Sequence, residues 1–278
     1  MFGTHRTPVI SLTLQDIPLQ AQAMVGKMSI SGVQPKLLLK LDKRKIELVV
    51  APTEGEYILK PQIQQFPYTP ENENCCMDIA GALGIDVPPH CLLPLKDESL
   101  AYVVKRFDRI GHEKIHQENF YQILGKKDKY TGSLEQIGKK LKEISVVPGL
   151  DVQLFFERVV FNFLIGNGDG HFKNHSMSYT KDGIRLSPAY DIVCSKLVIP
   201  NEEDSALTLN GKKNSLTRTD FDIFAEDLKI PKKIRYEKFE GQANRAKEFI
   251  QASRLPDHFK RTFVDIVFSR YERLKITL

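Results

Sequence analysis

Several things are missing from this sequence, and each absence removes a class of protein. No stretch of its 278 residues approaches the ~18 consecutive apolar residues that a membrane-spanning helix needs. The opening residues, Met1 to Pro8, lack the apolar core of a secretory signal. A cytoplasmic location is therefore expected. The four cysteines, Cys75, Cys76, Cys91 and Cys194, form no C-x-x-C pair and no spacing typical of zinc. Adjacent Cys75 and Cys76 read instead as small buried hydrophobes on a helix. There is no internal repeat, no low-complexity tract and no helix-turn-helix signature.

What is present is an ordinary globular composition. Apolar residues make up 41% and charged residues 27%, enough to bury a sizeable core in one large domain or two small lobes. The net charge of +5 is mild but uneven. From Asn210 onward 16 lysines and arginines face 10 acids. Without a nucleic-acid motif this reads as a solvated helical surface rather than a docking face.

Residues 1–25 have weak periodicity and read as partly irregular. From Lys27 to about Lys60 the pattern is of strands. Leu37–Leu41 and Ile46–Val50 are β-type runs joined by a loop at Asp42–Lys45 that lacks glycine, and Glu56–Lys60 is a third strand stopped by Pro61. Glu71–Leu83 reads as a helix ended by Gly84. Val87–Leu95 and Leu100–Phe107 are two further strands. After Arg109 the chain reads as mostly helical. Pro148-Gly149 ends one segment, and Asp151 caps a buried helix over Val152–Ile165. Helical patterns return from Asp220 to the end. The expectation is an α+β protein, with a β-rich lobe over residues 1–107 and an α-helical lobe over 108–278.

The most informative stretch runs Ile165-Gly-Asn-Gly-Asp-Gly-His-Phe-Lys-Asn174. An acid, Asp169, sits in a glycine-rich loop five residues before an asparagine, Asn174. Kinases use this arrangement: the acid accepts the proton of the substrate hydroxyl and the asparagine holds a metal ion. Ser178–Leu186 reads as a hairpin turning at Lys181-Asp182-Gly183. It would return the chain so that Asp191 stands beside the loop as a second metal ligand. Two such ligands suit Mg²⁺, which keeps waters and binds substrate phosphates. His171 and His175 could instead form a zinc pair on a helix, although the flanking glycines favour a loop and no third ligand is evident.

In the N-terminal half, Ser29-Ile-Ser-Gly-Val-Gln-Pro-Lys36 is a small-residue loop with a following lysine. Such a loop can cradle phosphates through backbone N–H groups and one positive charge, though it is not a Walker A sequence. Lys60 ends the third strand, where a lysine can reach nucleotide phosphates, and Glu71 or Glu73 could orient it. Val103–Arg109 lies at the junction of the two lobes, where apolar side chains such as Val104 and Phe107 can enclose an adenine ring.

Taken in order, the segments S-I-S-G-V-Q-P-K, Y-I-L-K-P, E-N-E-N-C-C-M-D-I-A-G-A-L-G-I, V-K-R-F-D-R, N-G-D-G-H-F-K-N-H-S and L-S-P-A-Y-D-I resemble the HipA family of toxin kinases. Together they cover roughly Ser29 to Ser195. The resemblance implies a two-lobed, protein-kinase-like fold and an ATP- and Mg²⁺-dependent serine/threonine kinase. Asp169 would be the base, and Asn174 and Asp191 the metal ligands. Ser31, Gly32, Val33, Gln34 and Lys36 would cover the phosphates, and Lys60 would contact them. Lys105, Arg106 and Phe107 would form the hinge, with His171, Lys173 and Asn174 also at the nucleotide. Family members phosphorylate a serine in their own phosphate loop, which here corresponds to Ser29, with Ser31 as the other candidate. A phosphate there places about −1.5 to −2 charges where ATP phosphates sit and should oppose nucleotide binding.

The pattern departs from HipA in two places. Lys105 stands where HipA has Glu, which matters little if adenine is held by backbone groups. Only 28 residues precede Ser29, whereas HipA carries an additional subdomain there, so the chain resembles the short form, HipT. That implies a HipS-like small protein and a HipB-like DNA-binding antitoxin as partners. It also implies an aminoacyl-tRNA synthetase as target, with no direct nucleic-acid binding by the chain alone. Two other readings are a catalytically silent pseudokinase acting as a binding module and a metal-dependent hydrolase built on Asp169, His171, His175 and Asp191.

Overall fold

The computed structural model describes residues 1–23, 35–111 and 113–278. Their elements, in chain order, are α1 (Asp16–Ala23), β1 (Leu37–Asp42), β2 (Glu47–Val50), β3 (Tyr57–Pro61), α2 (Thr69–Ala82), β4 (His90–Pro94), β5 (Leu100–Lys105), β6 (Arg109–Ile110), β7 (Glu113–Lys114), β8 (His116–Asn119), α3 (Phe120–Ile123), α4 (Leu134–Ile144), α5 (Pro148–Leu164), β9 (Ser176–Thr180), β10 (Gly183–Leu186), α6 (Arg218–Asp227), α7 (Ala243–Ala252) and α8 (Asp257–Leu274). They fall into two compact units, Met1–Asn74 with Pro88–Arg109, and Cys75–Val87 with Ile110–Leu278. The division runs through α2.

The first unit is built on a five-stranded sheet in the order β2-β1-β3-β5-β4, antiparallel throughout. Alternation along the strands places Leu37 and Leu39, Tyr57 and Leu59, and Ala101 and Val103 on one face, where they join Ile10 and Ile17 in a buried cluster. The loop between β1 and β2 turns without glycine because the Asp42 carboxylate accepts the Arg44 and Lys45 amides at 2.9 and 3.3 Å, and Ile46 takes a positive φ of 52°. The segment read as irregular contributes to this unit: it carries α1, and the Val9 amide and carbonyl bond to Ile46 and Leu48.

In the second unit α5 is the spine. Phe155, Phe156, Phe161 and Phe163 on it are all 2% exposed or less. Phe163 meets Phe221 of α6 with ring centroids 5.1 Å apart. The helix begins earlier than expected, at Pro148, because proline suits a first helical position that has no intrahelical use for an N–H. Asp151 is consequently not a cap. It lies fully buried in the first turn and accepts from Ser145 Oγ at 2.6 Å, Arg185 Nη2 at 2.9 Å and the Leu186 amide at 3.0 Å. Beyond Arg109 the chain is also less uniformly helical than its pattern implies, since β10, β9 and β8 form a three-stranded sheet. The β9–β10 hairpin turns at Lys181 and Asp182, as its sequence indicates. Cys75 and Cys76 are buried on α2, and burial pushes the Cys75 thiol up to about 12. No helix among the described residues is long and apolar enough to cross a membrane.

Candidate active site

In the first unit, side-chain alternation turns Lys60 away from the cluster that holds Leu59. Lys60 lies opposite Tyr102 in the β3–β5 register, and its ammonium stands 5.8 Å from the Tyr102 ring. It also meets Glu73 of α2, with Nζ to Oε1 at 2.7 Å. Of the two glutamates able to orient this lysine, the fold therefore selects Glu73. Burial raises the pKa of Glu71. The Lys60 and Glu73 side chains are 12% and 2% exposed. A buried ion pair is a poor source of stability, because desolvating two charges offsets most of their attraction.

The Lys105 and Arg106 amides donate to the carbonyls of Pro89 and Glu56, both at 2.8 Å. The Arg106 guanidinium closes on Asp108 with two bonds of 2.9 and 2.7 Å. Burial works to raise the Asp108 carboxyl, but Arg106 and Arg109 hold it below its usual range. The Arg106 side chain is thus engaged within the segment, and Phe107 follows it, partly buried. Of the phosphate-loop residues, Ser29, Ser31, Gly32, Val33 and Gln34 lie outside the described residues, while Lys36 leads into β1.

In the second unit the loop after α5 is held from several sides. Asn167 donates to Asn162 Oδ1 and accepts the Asp169 amide, both at 3.1 Å. The Gly168 amide donates to Ser195 Oγ at 2.8 Å, and Ser195 donates to Glu202. Glycine is required at 168 by space: a Cβ there would stand 2.5 Å from the Glu203 carbonyl oxygen and closer still to the Glu202 carboxylate. This packing presents Asp169 half-buried, with its Oδ1 accepting from the Tyr130 hydroxyl at 2.9 Å.

Past the loop, a 3-10 turn over Phe172–Asn174 is pinned by the fully buried Phe172. Asn174 Oδ1 accepts the His171 amide at 3.1 Å, and its Nδ2 donates to Asp191 Oδ2 at 2.9 Å. The hairpin thus returns Asp191 to Asn174. Asp191 holds a φ of +60°, the left-handed region that a non-glycine residue seldom adopts and that clusters at functional sites. His171 is buried, with Nε2 at 2.9 Å from Lys129 Nζ. Desolvation chiefly lowers its pKa; Asp169 and Asp191 oppose this and Lys129 adds to it. Both acids therefore act on one ring. The Lys173 ammonium lies 4.6 Å above the Tyr121 ring, and its carbonyl accepts Tyr190 OH at 2.9 Å.

Asn174 and Asp191 suit Mg²⁺, which is commonly bound by one or two protein ligands together with phosphates and water. A zinc pair is not formed. His175 is 3% exposed, packs edge-on against Phe155 at 5.2 Å, and is brought down to about 3 chiefly by burial. No group of three or more His, Cys, Asp or Glu among the described residues is placed to hold a metal. Sequence reasoning missed Tyr130, Lys129 and Glu202. No motif marks them, and they reach the loop only through the fold.

A family model, the HipA-like C-terminal domain, matches residues 28–254. A Haemophilus influenzae protein named "Putative kinase" is 29% identical over 97% of this chain and 87% of its own length. A Sinorhizobium fredii protein, "Putative kinase Y4mE", is 33% identical over 74% of this chain but only 51% of its own. Among solved structures, HipA of Shewanella oneidensis, in a toxin–antitoxin complex with HipB and operator DNA, superposes with a TM-score of 0.73 at 23% identity, covering 89% of this chain and 65% of that one. The chain thus spans about half of one curated relative and most of another, and its fold is the α+β, kinase-like fold of HipA. It belongs to the HipA-like C-terminal domain family.

Proposed function

We propose that the protein is an ATP- and Mg²⁺-dependent serine/threonine protein kinase and the toxin of a HipBST-like toxin–antitoxin system. The observation that carries this reading is the buried Lys60–Glu73 pair at 2.7 Å. In protein kinases a strand lysine held by a helix glutamate meets the nucleotide phosphates. A hydrolase working through Asp169, His171, His175 and Asp191 has no use for that pair, and it would need the His175 ring that is packed against Phe155. The meeting of Asn174 with Asp191 is a second support. A silent binding module would not need these groups in place.

In this reading Asp169 is the base. The acceptor hydroxyl oxygen attacks the γ-phosphorus and its proton passes to the Asp169 carboxylate. The bond from the γ-phosphorus to the β–γ bridging oxygen breaks, and ADP leaves. Asn174 and Asp191 hold magnesium, which when bound neutralises charge on the phosphates. His171, Lys173 and the segment Lys105–Phe107 contact the nucleotide, and the loop from Ser31 to Lys36 covers its phosphates. Ser29 or Ser31 takes up the enzyme's own phosphate. The chain acts in the cytoplasm as a HipT-like kinase. Its partners are a HipB-like antitoxin, as the HipB-bound relative suggests, and a HipS-like small protein. Its target is an aminoacyl-tRNA synthetase.

The test is incubation with γ-labelled ATP and Mg²⁺, wild type beside Asp169→Asn, followed by phosphosite mapping. Label on Ser29 or Ser31 in the wild type alone is the expected result, and Ser29→Ala with Ser31→Ala should abolish it. Transfer that persists in Asp169→Asn would falsify the base assignment. A protein shown to be unphosphorylated that takes up no label would favour the binding module.

A further inference from the structure

The carboxylate of Asp169 has one side-chain partner among the described residues, the hydroxyl of Tyr130 on Oδ1 at 2.9 Å. A base that is to take a proton from an acceptor needs one oxygen free and a fixed orientation. Tyr130 supplies the orientation and leaves Oδ2 for the acceptor.

The tyrosine is anchored rather than loose. Its amide donates to Asp128 Oδ1 at 2.8 Å, and Lys213 Nζ donates to its carbonyl at 3.3 Å. Its ring stands edge-on to His171 with centroids 5.2 Å apart, and the Lys129 ammonium lies 4.6 Å above it. The Phe172 amide donates to the Lys129 carbonyl at 3.3 Å, tying the strip that carries Tyr130 to the segment that follows Asp169. Burial and the neighbouring Asp169 carboxylate both push the Tyr130 hydroxyl above its usual range, so it remains a donor across the working pH range. A swinging latch over the base would need slack that these contacts remove.

We propose that Tyr130 is a positioning residue for phosphoryl transfer: its hydroxyl fixes the Asp169 carboxylate so that Oδ2 meets the acceptor. This rests on the reading of Asp169 as the base. Tyr130 is 39% exposed, so it stands at the rim of the site, where an acceptor segment can pass.

The experiment compares wild type, Tyr130→Phe, Asp169→Asn and the double variant. It measures total transfer from γ-labelled ATP to the protein itself and to added casein. Tyr130→Phe keeps the ring and its packing on His171 and Lys129, so its fold and nucleotide binding are expected to match wild type. The expected result is a maximal rate about tenfold lower with the half-saturating ATP concentration unchanged, in line with the loss of one aligned hydrogen bond at a catalytic group. The double variant should be as inactive as Asp169→Asn alone, because the tyrosine acts only through that carboxylate. An unchanged maximal rate in Tyr130→Phe, with Asp169→Asn inactive, overturns the positioning role and leaves the base intact. A faster Tyr130→Phe overturns it in favour of an occluding contact. Transfer by Asp169→Asn at the wild-type rate removes the base itself and the proposal with it.

Discussion

The amide of Asn174 and the carboxylate of Asp191, 17 residues apart in the chain, meet at 2.9 Å. Neither side chain is buried. Asn174→Ala should therefore weaken the apparent affinity for Mg²⁺ by at least the ~10- to 100-fold that follows loss of a group merely supporting a metal ligand. Magnesium titration of the transfer rate measures this. An unchanged midpoint would remove Asn174 from the metal site.

The Lys60–Glu73 pair makes a different kind of prediction. Lys60→Met removes the ammonium 2.7 Å from the buried Glu73 carboxylate, which should cost about 3–5 kcal/mol of folding stability. Lys60→Met with Glu73→Gln removes the charge as well and should regain much of that loss. Urea unfolding of the single and double variants makes the comparison. A double variant less stable than the single would mean that the charge is held by other means.

Two glycines of the loop should respond differently to a methyl group. At Gly168 the added carbon would lie 2.5 Å from the Glu203 carbonyl, whereas at Gly170 the closest neighbour is Asn162 Nδ2 at 3.3 Å. Gly168→Ala is expected to cost about 1–3 kcal/mol, the scale of overpacking a tight site, and to lower transfer by shifting Asp169. Gly170→Ala should cost less. Thermal unfolding with parallel activity measurements tests the order.

Asp220 sets part of the acid limit of stability. Burial works to raise its pKa, but Lys212, the Thr217 amide and hydroxyl, and Asn210 all donate to its carboxylate and bring it down to about 2 from an ordinary 3.8. The folded-state value is below the unfolded one. Its contribution is therefore fully present above pH 3.8 and is lost as the pH falls towards about 2. Asp220→Asn should flatten the stability–pH curve across that window. An identical slope in wild type and variant would mean that other carboxylates set it.

The parts of the site legible in the sequence are those carried by short-range spacing. Asp169 and Asn174 share one loop, Asp191 follows a hairpin whose turn residues are plain, and Lys60 lies in a recognisable strand, although that strand runs on through Pro61, opposite Ala101, instead of stopping before it. The choice between Glu71 and Glu73 was not legible. Two positions along a helix are separated by roughly 200° of rotation, so only the docking of α2 decides which one meets Lys60. Tyr130 lies 39 residues from Asp169 in an irregular segment and has no periodic signal. Strand β8 reads His-Gln-Glu-Asn, with no apolar residue to reveal a period of two. At the start of α5 two signals competed. An acid before an apolar run suggests a cap at Asp151, but the proline three residues earlier sets the boundary, and the acid is taken up by Arg185.

The left-handed backbone at Asp191 restricts which residues can follow it by mutation. Aspartate, asparagine and glycine occupy that conformation at little cost, whereas glutamate and branched residues meet steric resistance there. Natural drift at this position is thereby channelled. The replacements that the backbone accepts most readily, asparagine and glycine, remove the negative charge while sparing the fold. If Asp191 carries the proposed role, a lineage that lost catalysis by this route would keep a folded protein, and the passage from enzyme to silent scaffold would take a single substitution.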